Sequence, residues 1–551
     1  MEGVPEGLGP QTGRLRPHVR RPARVPRSFA IIYLEGFMKK WYACLVSVLF
    51  ITAVCFMGCG EPAPVYDWDA DVVVVGSGFS GLAAALSAAQ GGASVIVVEK
   101  QAAIGGASGM SGGAFGATNT VVQKEYGIDD PPSAWMDMFY MRANQTNAKY
   151  RSKVFPIKSD SMWLIEGSAG TIDWMIDLGL TFGRPRGLEL DLAERYHTVS
   201  NKGYFGGGGV ARYFKERAEE MGVDIRLESK AVKVLQHRGP GSRAIGIELD
   251  GGSKIYAKTV ILAAGGYASD LGKYFSGVEY STPVPNMLGE GIEMGVEAGG
   301  ALWEEPWVLG MSLAQGLAKE GLPAVERVNQ GMYVDSSGVR VGYENHNSAT
   351  QTNYAVVAQK DGGKLFAIIS DAHATPTQEQ IDSGRVFKGS TIAELAAKAG
   401  INADKLQSEV AAYNALCDTI AALNKSSAPD EAYVGVDPLD IENGNSNPNK
   451  AGGRTYPTRK TYVKVEGKAF YAVEMLPQIA GTFGGVKTKT GTAEVLDKND
   501  LTKVIPGLYA AGENANRNFY DKVYMSGSST MQAVSTGRAA GKAAAAFVAA
   551  N

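Results

Sequence analysis

The strongest pattern along the chain is a set of short, continuous apolar runs that end in glycine. Residues 71–75 are one aspartate followed by four valines. A β-branched run of that length predicts a parallel strand buried on both faces. It leads into Gly76-Ser77-Gly78-Phe79-Ser80-Gly81, and the Ala- and Leu-rich residues 82–90 predict a helix. Gly91-Gly92 ends that helix, and 94–98 predict a second strand, closed by Glu99. Two later runs have the same form. Val260-Ile261-Leu262-Ala263-Ala264 ends in Gly265-Gly266, and Ile505-Pro506-Gly507-Leu508-Tyr509-Ala510-Ala511 ends in Gly512-Glu513. An Ala-rich helix is expected from about 530 to 550. Strands alternating with helices predict an α/β fold around a parallel sheet.

One apolar run is of another kind. Residues 41–57 follow Met38-Lys39-Lys40 and end at Gly58-Cys59-Gly60. A basic start, a short apolar stretch and a small residue before a cleavage point describe an export signal. Gly58-Cys59 resembles a bacterial lipoprotein lipobox, with Phe56 and Met57 departing from its usual residues. Residues 1–58 are therefore read as upstream sequence plus signal peptide, with Met38 as the start. The expected location is outside the cytoplasm of a bacterium: a lipoprotein held to the membrane by a lipid on Cys59, or a periplasmic or secreted protein.

Composition adds three constraints. The 54 Lys+Arg against 57 Asp+Glu give a net charge of -3, so nucleic acid is not an expected partner, because phosphate binding needs a basic surface. Removing the first 58 residues, with their eight Lys+Arg and three Asp+Glu, leaves 493 residues with a charge of -8. The four cysteines, Cys44, Cys55, Cys59 and Cys417, form no CxxC or CxxCH, and no HExxH occurs. No metal site, cysteine-held cluster or c-type haem is expected. Glycine is the outlier: 69 residues, about 12.5% against a usual ~7%. Without a Gly-X-Y period, these glycines belong at turns and close backbone approaches.

The first glycine turn carries chemistry. A strand, G-x-G-x-x-G, a helix, a second strand and an acid form a dinucleotide-binding βαβ unit. Gly76 makes the tight turn, Gly78 lets a pyrophosphate approach the backbone, and Gly81 allows helix and strand to pack closely. Ser80 lies in the same loop. The phosphates would meet the helix N-terminus. Glu99, 23 residues after Gly76, would accept from ribose hydroxyls, with Lys100 beside it.

With Ile104-Gly105-Gly106-Ala107-Ser108, Ser111-Gly112-Gly113-Ala114 and the two later glycine ends, the chain resembles a flavoprotein family. This is the FAD-binding family of fumarate reductase and succinate dehydrogenase flavoprotein subunits, urocanate reductases and 3-ketosteroid dehydrogenases. The resemblance runs over nearly all of 69–545. It implies a Rossmann-like FAD-binding domain, split in sequence, with an inserted α+β capping domain. The boundaries it implies are 69–309 and 467–551 for the FAD-binding parts and 310–466 for the cap, where 392–423 is helix-like. It also implies that Gly105, Gly106, Ala107, Ser108, Gly112 and Gly113 line the flavin and pyrophosphate. Val232 would meet adenine, Ala264 and Gly265 the diphosphate side, and Gly512 and Glu513 the ribityl chain. Ser529, Thr530 and Met531 open the last helix, whose N-terminus would face the flavin. Covalent attachment in this family uses a histidine after the second strand; 101–118 contain none, so FAD is expected to be non-covalent.

Such flavoproteins reduce or form a carbon–carbon double bond next to a carbonyl. The substrate elements depart from the fumarate reductase pattern. The proton-donating arginine position is Ser348, with His346 the nearest proton carrier, in Gly338-Val339-Arg340-Val341-Gly342-Tyr343-Glu344 and the residues after it. A carboxylate-binding histidine gives way to Gly481, the clamping arginine to Tyr524, and a further histidine to the Trp303-Glu304-Glu305-Pro306-Trp307 stretch. Without these cations a small dianion loses its charge-assisted bonds, so fumarate is not the expected substrate. Tyr524 before a Gly/Ser turn resembles the ketosteroid dehydrogenase tyrosine that binds a ketone oxygen. The candidate catalytic residues are Tyr524 and His346. Trp303, Trp307, Phe519 and Tyr520 are read either as an aromatic pocket or as packing, Arg517 as a possible clamp, and Arg340 as a structural partner within the cap. The expected substrate is a small carbonyl-conjugated compound. The electron source is expected to be a separate cytochrome or quinone-linked protein. An oxidase of the same fold and a non-catalytic FAD-binding protein are the alternatives.

Overall fold

The computed structural model describes residues 66–143, 158–188, 191–281, 284–342, 344, 348–433, 436–439, 462–520, 522, 524 and 527–551. The export signal, Cys59 and His346 lie outside the described residues. The folded body is the unit Asp67–Asn551.

The valine run forms strand Ala70–Val75 at the centre of an eight-stranded sheet. Its flanking strands are Val95–Val98 and Lys254–Leu262, both parallel to it, with Val72 opposite Val95 on one side and Thr259 on the other. Asp224–Arg226 extends one edge, and Asp500–Ala510 and Glu494–Asp497 the other. Ala231–Gln236 and Ala244–Leu249 branch off antiparallel from Lys254–Leu262. Residues on both faces of the central strands are buried, as their unbroken apolar sequences require. Helix Phe79–Gln90 follows the first turn, and the last helix, Ser528–Ala550, packs on it. Their approach is close. A Cβ on Gly537 would lie 2.1 Å from the Ser80 carbonyl oxygen, and one on Gly541 2.1 Å from that of Ala84.

A second sheet has five strands. Phe470–Phe483 is its spine, pairing antiparallel with Trp307–Gln315, Leu365–Ser370 and Val386–Gly389, while Met332–Asp335 adds to Leu365–Ser370. The sequence pattern assigns all of 467–551 to the domain of the first sheet. Phe470–Phe483 lies instead in the second, because its buried run finds an equally apolar partner in Leu365–Ser370. The chain rejoins the first sheet only at Glu494. The expected helix over 392–423 is two helices, Ile392–Ala399 and Ala403–Lys425. Gly400, at φ +69°, ends the first in a left-handed turn. The Asn402 side chain then accepts from the Lys405 amide at 2.9 Å and caps the second.

A small third sheet, Ala114–Gly116, Asp191–Thr198 and Arg186–Leu188, stands beside the start of the last helix. Gly116 N donates to Gly527 O at 2.9 Å. Behind it, buried Arg195 pairs with buried Asp130 at 2.6 Å. His197 bridges the Thr120 hydroxyl and the Arg195 carbonyl, 2.8 Å from each. Burial pushes its imidazole down to about 4.

Candidate active site

The glycine turns converge at the carboxyl ends of the parallel strands, where open α/β sheets place their ligands. Gly76 has φ +103°, and a Cβ there would sit 2.4 Å from the Ala263 carbonyl oxygen. On Gly81 it would sit 1.9 Å from Gly76 O. Only glycine fits either position. Gly78, by contrast, is extended backbone with room for a Cβ, whose first neighbour would be Ser108 Oγ at 3.5 Å. The fold itself does not require glycine there.

Glu99 is buried beneath this loop. Its Oε2 accepts from Ser77 N at 3.0 Å and Ser77 Oγ at 2.7 Å, and its Oε1 from Gln101 N at 2.9 Å. Lys100 Nζ pairs with Glu290. The second glycine turn is stitched to the first: Gly105 N donates to Ser77 O at 3.1 Å, and Phe79 N to Ser108 Oγ at 3.2 Å. Gly106 and Gly112 have open space where a side chain would stand, and Ala107 and Ser108 are half-buried. Gly113 touches the backbone of Gly206. Val232 is exposed.

Asn514, unremarked in the sequence, joins the third and fourth turns. Its Oδ1 accepts from Ala264 N and its Nδ2 donates to Gly265 O, both at 2.7 Å. Gly512 N donates to Thr536 Oγ1 at 3.0 Å, and buried Ser80 packs against Gly512. Asn516 likewise ties Gly484 N to Thr482 O, with both bonds at 2.9 Å. The available signal is two asparagines directly after a buried strand, where polar groups survive only with partners.

Glu513 is half-buried and faces the strand Phe470–Phe483. Its Oε2 accepts from Thr482 N at 2.9 Å and Thr482 Oγ1 at 3.1 Å. Burial pushes its carboxyl up to about 7. At the start of the last helix, Gly527 caps with φ +75°. Tyr524 Oη accepts from Gly527 N at 3.0 Å. Ser529 and Thr530 are half-buried, and Thr530 Oγ1 donates to Ala114 O at 2.5 Å. Met531 is fully inside the core, where its sulfur accepts from Ser535 Oγ.

The aromatic residues separate into two groups. Phe519, Tyr520 and Trp307 are 3%, 1% and 9% exposed, and Tyr520 stacks on Phe483 with centroids 4.5 Å apart. These rings are packing. Tyr524 and Trp303 remain half-buried. Arg517 is buried, with Nε and Nη1 donating to the Glu305 and Tyr520 carbonyls. Arg340 is structural, held between Glu344 and Asp437.

The cradle fits FAD in one testable respect. It leaves Gly78, Gly106 and Gly112 unobstructed beside a helix N-terminus, where a pyrophosphate needs both backbone N–H groups and access. The comparisons agree. A family model described as an FAD binding domain matches residues 71–531. A fumarate reductase (cytochrome) from Shewanella frigidimarina is 28% identical, over 87% of this chain and 77% of the relative. A urocanate reductase from Eggerthella lenta is 27% identical, over 81% and 70%. Among solved structures, the 3-ketosteroid-Δ4-(5α)-dehydrogenase of Rhodococcus jostii RHA1 superposes with a TM-score of 0.61 at 24% identity, covering 88% of this chain and 99% of that one. With its fold, its converging glycine turns and most of its length matched, the chain belongs to the FAD binding domain family and is an FAD-dependent oxidoreductase.

Proposed function

We propose that this enzyme, an oxidoreductase of the CH–CH and C=C class, reduces or forms a double bond conjugated to a carbonyl, and that its substrate is not fumarate. The observation that carries the reading is the pair Tyr524 Oη and Gly527 N, 3.0 Å apart at the start of the last helix. The Gly527 amide donates to the phenol oxygen and holds Tyr524 in place, so that the phenol O–H is the donor for a carbonyl oxygen, and the helix N-terminus favours negative charge as it develops there. FAD, when bound, exchanges the hydride. The residues hold the carbonyl, polarise the double bond and exclude water. Glycine, serine and tyrosine stand at three positions where a dicarboxylate would need cations, so a less charged enone or enoate suits the site.

Gly105, Gly106, Ala107, Ser108, Gly112, Gly113 and Gly265 are proposed to hold the flavin and pyrophosphate, with Glu99 on the ribose. We also propose export, a lipid on Cys59, and electrons from a separate cytochrome or quinone-linked protein. The test is reoxidation. Protein reduced without oxygen is mixed with enones, enoates, fumarate or air. Reoxidation by an enone or enoate supports the proposal. Preference for fumarate, rapid peroxide formation in air, or inertness to every acceptor would each overturn it. Palmitate labelling that persists in Cys59→Ala would remove the lipid anchor.

A further inference from the structure

The carboxyl of Glu513 is anchored on one side only. Oε2 takes two bonds from Thr482, whereas Oε1 has no hydrogen-bond partner among the described residues. Oε1 points at Gly481: a Cβ on that glycine would come within 2.6 Å of it. Gly266 is as tight on the other oxygen, with a Cβ 2.4 Å from Oε2. Both glycines are thus needed to seat this side chain, and neither brings a charge.

The surroundings offer no compensation for a negative charge. Glu513 lies in the field of two phenols, Tyr267 and Tyr520, which it raises and which burial raises further, so both stay neutral. Arg517 acts on Tyr267, but its Nε and Nη1 are spent on the Glu305 and Tyr520 carbonyls. The last helix and the turn at 264–265 approach through Thr536 and Asn514, which bond Gly512 N, Ala264 N and Gly265 O and carry no charge. Among the described residues, no lysine, arginine or histidine pairs with Glu513. A carboxyl so placed holds its proton unusually well, in keeping with its shift to about 7.

We propose that Glu513 is the redox-linked proton carrier of this site: it takes a proton as the cofactor gains electrons and releases it as they leave. The external donor supplies two electrons, and solvent supplies the proton through the free oxygen. Added negative charge nearby makes the carboxylate harder to keep, so uptake is the direction electrostatics imposes. Reducing a C=C bond consumes two electrons and two protons. One proton travels with the hydride, and Glu513 stores the other. Only this last step rests on the proposed reaction; uptake itself requires FAD alone.

The experiment is a potentiometric titration of the FAD-loaded protein across pH, without substrate. Wild type is expected to bind one more proton per two electrons at pH values above about 7 than Glu513→Gln does. An identical pH slope in the two proteins overturns the proposal, and leaves the C=C reading untouched. If Glu513→Gln does not retain flavin, Thr482→Val decides. Losing the Thr482 hydroxyl removes a bond that favours the carboxylate, so the break in the slope should move to higher pH. A break that stays in place overturns the proposal.

Discussion

At the scale of single residues, Tyr524 and His197 make different demands on the same chemistry. The role proposed for Tyr524 needs its hydroxyl and a ring that stays in place. Tyr524→Phe keeps the ring beside Phe483 and Tyr520 and removes only the hydroxyl. Loss of one donor to a developing oxyanion should lower turnover by roughly tenfold or more, with flavin content unchanged. Steady-state kinetics with a reoxidising substrate checks this, and unchanged turnover removes Tyr524 from the site. His197 has no proton to give. Folded, it titrates at about 4; unfolded, it should titrate near 6.5. Above 6.5 both states are neutral and the residue contributes no pH dependence. As pH falls from 6.5 to about 4, the unfolded chain binds a proton that the folded one refuses, and stability drops by about 3 kcal/mol. Urea unfolding at several pH values should show this loss in wild type and a shallower one in His197→Gln. Parallel curves would contradict it.

At the scale of elements, the helices Phe79–Gln90 and Ser528–Ala550 cross with their backbones in close approach. Gly537 and Gly541 are one helical turn apart and meet backbone oxygens directly. Gly541→Val must push the helices apart or distort one, and the cost should be about 3 kcal/mol or more. Because the first helix carries the phosphate turn, flavin should be lost in step with stability. A variant that melts like wild type and stays yellow would show that the helices can separate freely. This crossing also marks what the sequence makes legible. The βαβ unit could be read because a buried strand, a glycine turn and a helix are each coded by neighbours a few residues apart. The strand Asp191–Thr198 could not. It contains Glu194, Arg195 and His197 and looks solvated, and the partners of its buried arginine are remote in sequence, with Asp130 65 residues away and the Trp135 ring beneath the guanidinium. The site divides the same way. Its glycine turns are local and legible, whereas the setting of Glu513 depends on Gly481 and Thr482, some thirty residues earlier on another sheet, and no pattern in 505–513 announces it.

At the scale of the whole molecule, the chain after Lys254–Leu262 sends an arm, 275–281, onto the smaller sheet. Its backbone is gripped twice by one side chain: Gln359 accepts from Glu279 N at 2.5 Å and donates to Glu279 O at 3.0 Å. Lys360 Nζ donates to Ser276 O at 2.6 Å, and Ser281 N to Pro477 O at 3.0 Å. At the far side Arg385 collects three carboxylates: Glu279 at 2.8 Å, Glu320 at 3.0 Å and Glu474 at 3.1 Å. Phe275, on the same arm, packs edge-on against Trp307 at 5.2 Å, so the arm fixes the tryptophan at the start of the strand that leads from the flavin sheet into the cap. Surface ion pairs contribute little, but this one is different in kind, because Glu474 is 2% exposed and would keep only Lys364 if the guanidinium were removed. Arg385→Met should therefore cost about 2 kcal/mol, more than a surface pair and less than a fully buried one. The loss should be local first. Amide exchange at Glu279 and Ser281 should quicken well before that of the Ala70–Val75 strand, since the arm can lift while the parallel sheet stays closed. Equal acceleration in both places would mean that Arg385 stabilises the fold as a whole, and no change at Glu279 would mean that Gln359 alone holds the arm down.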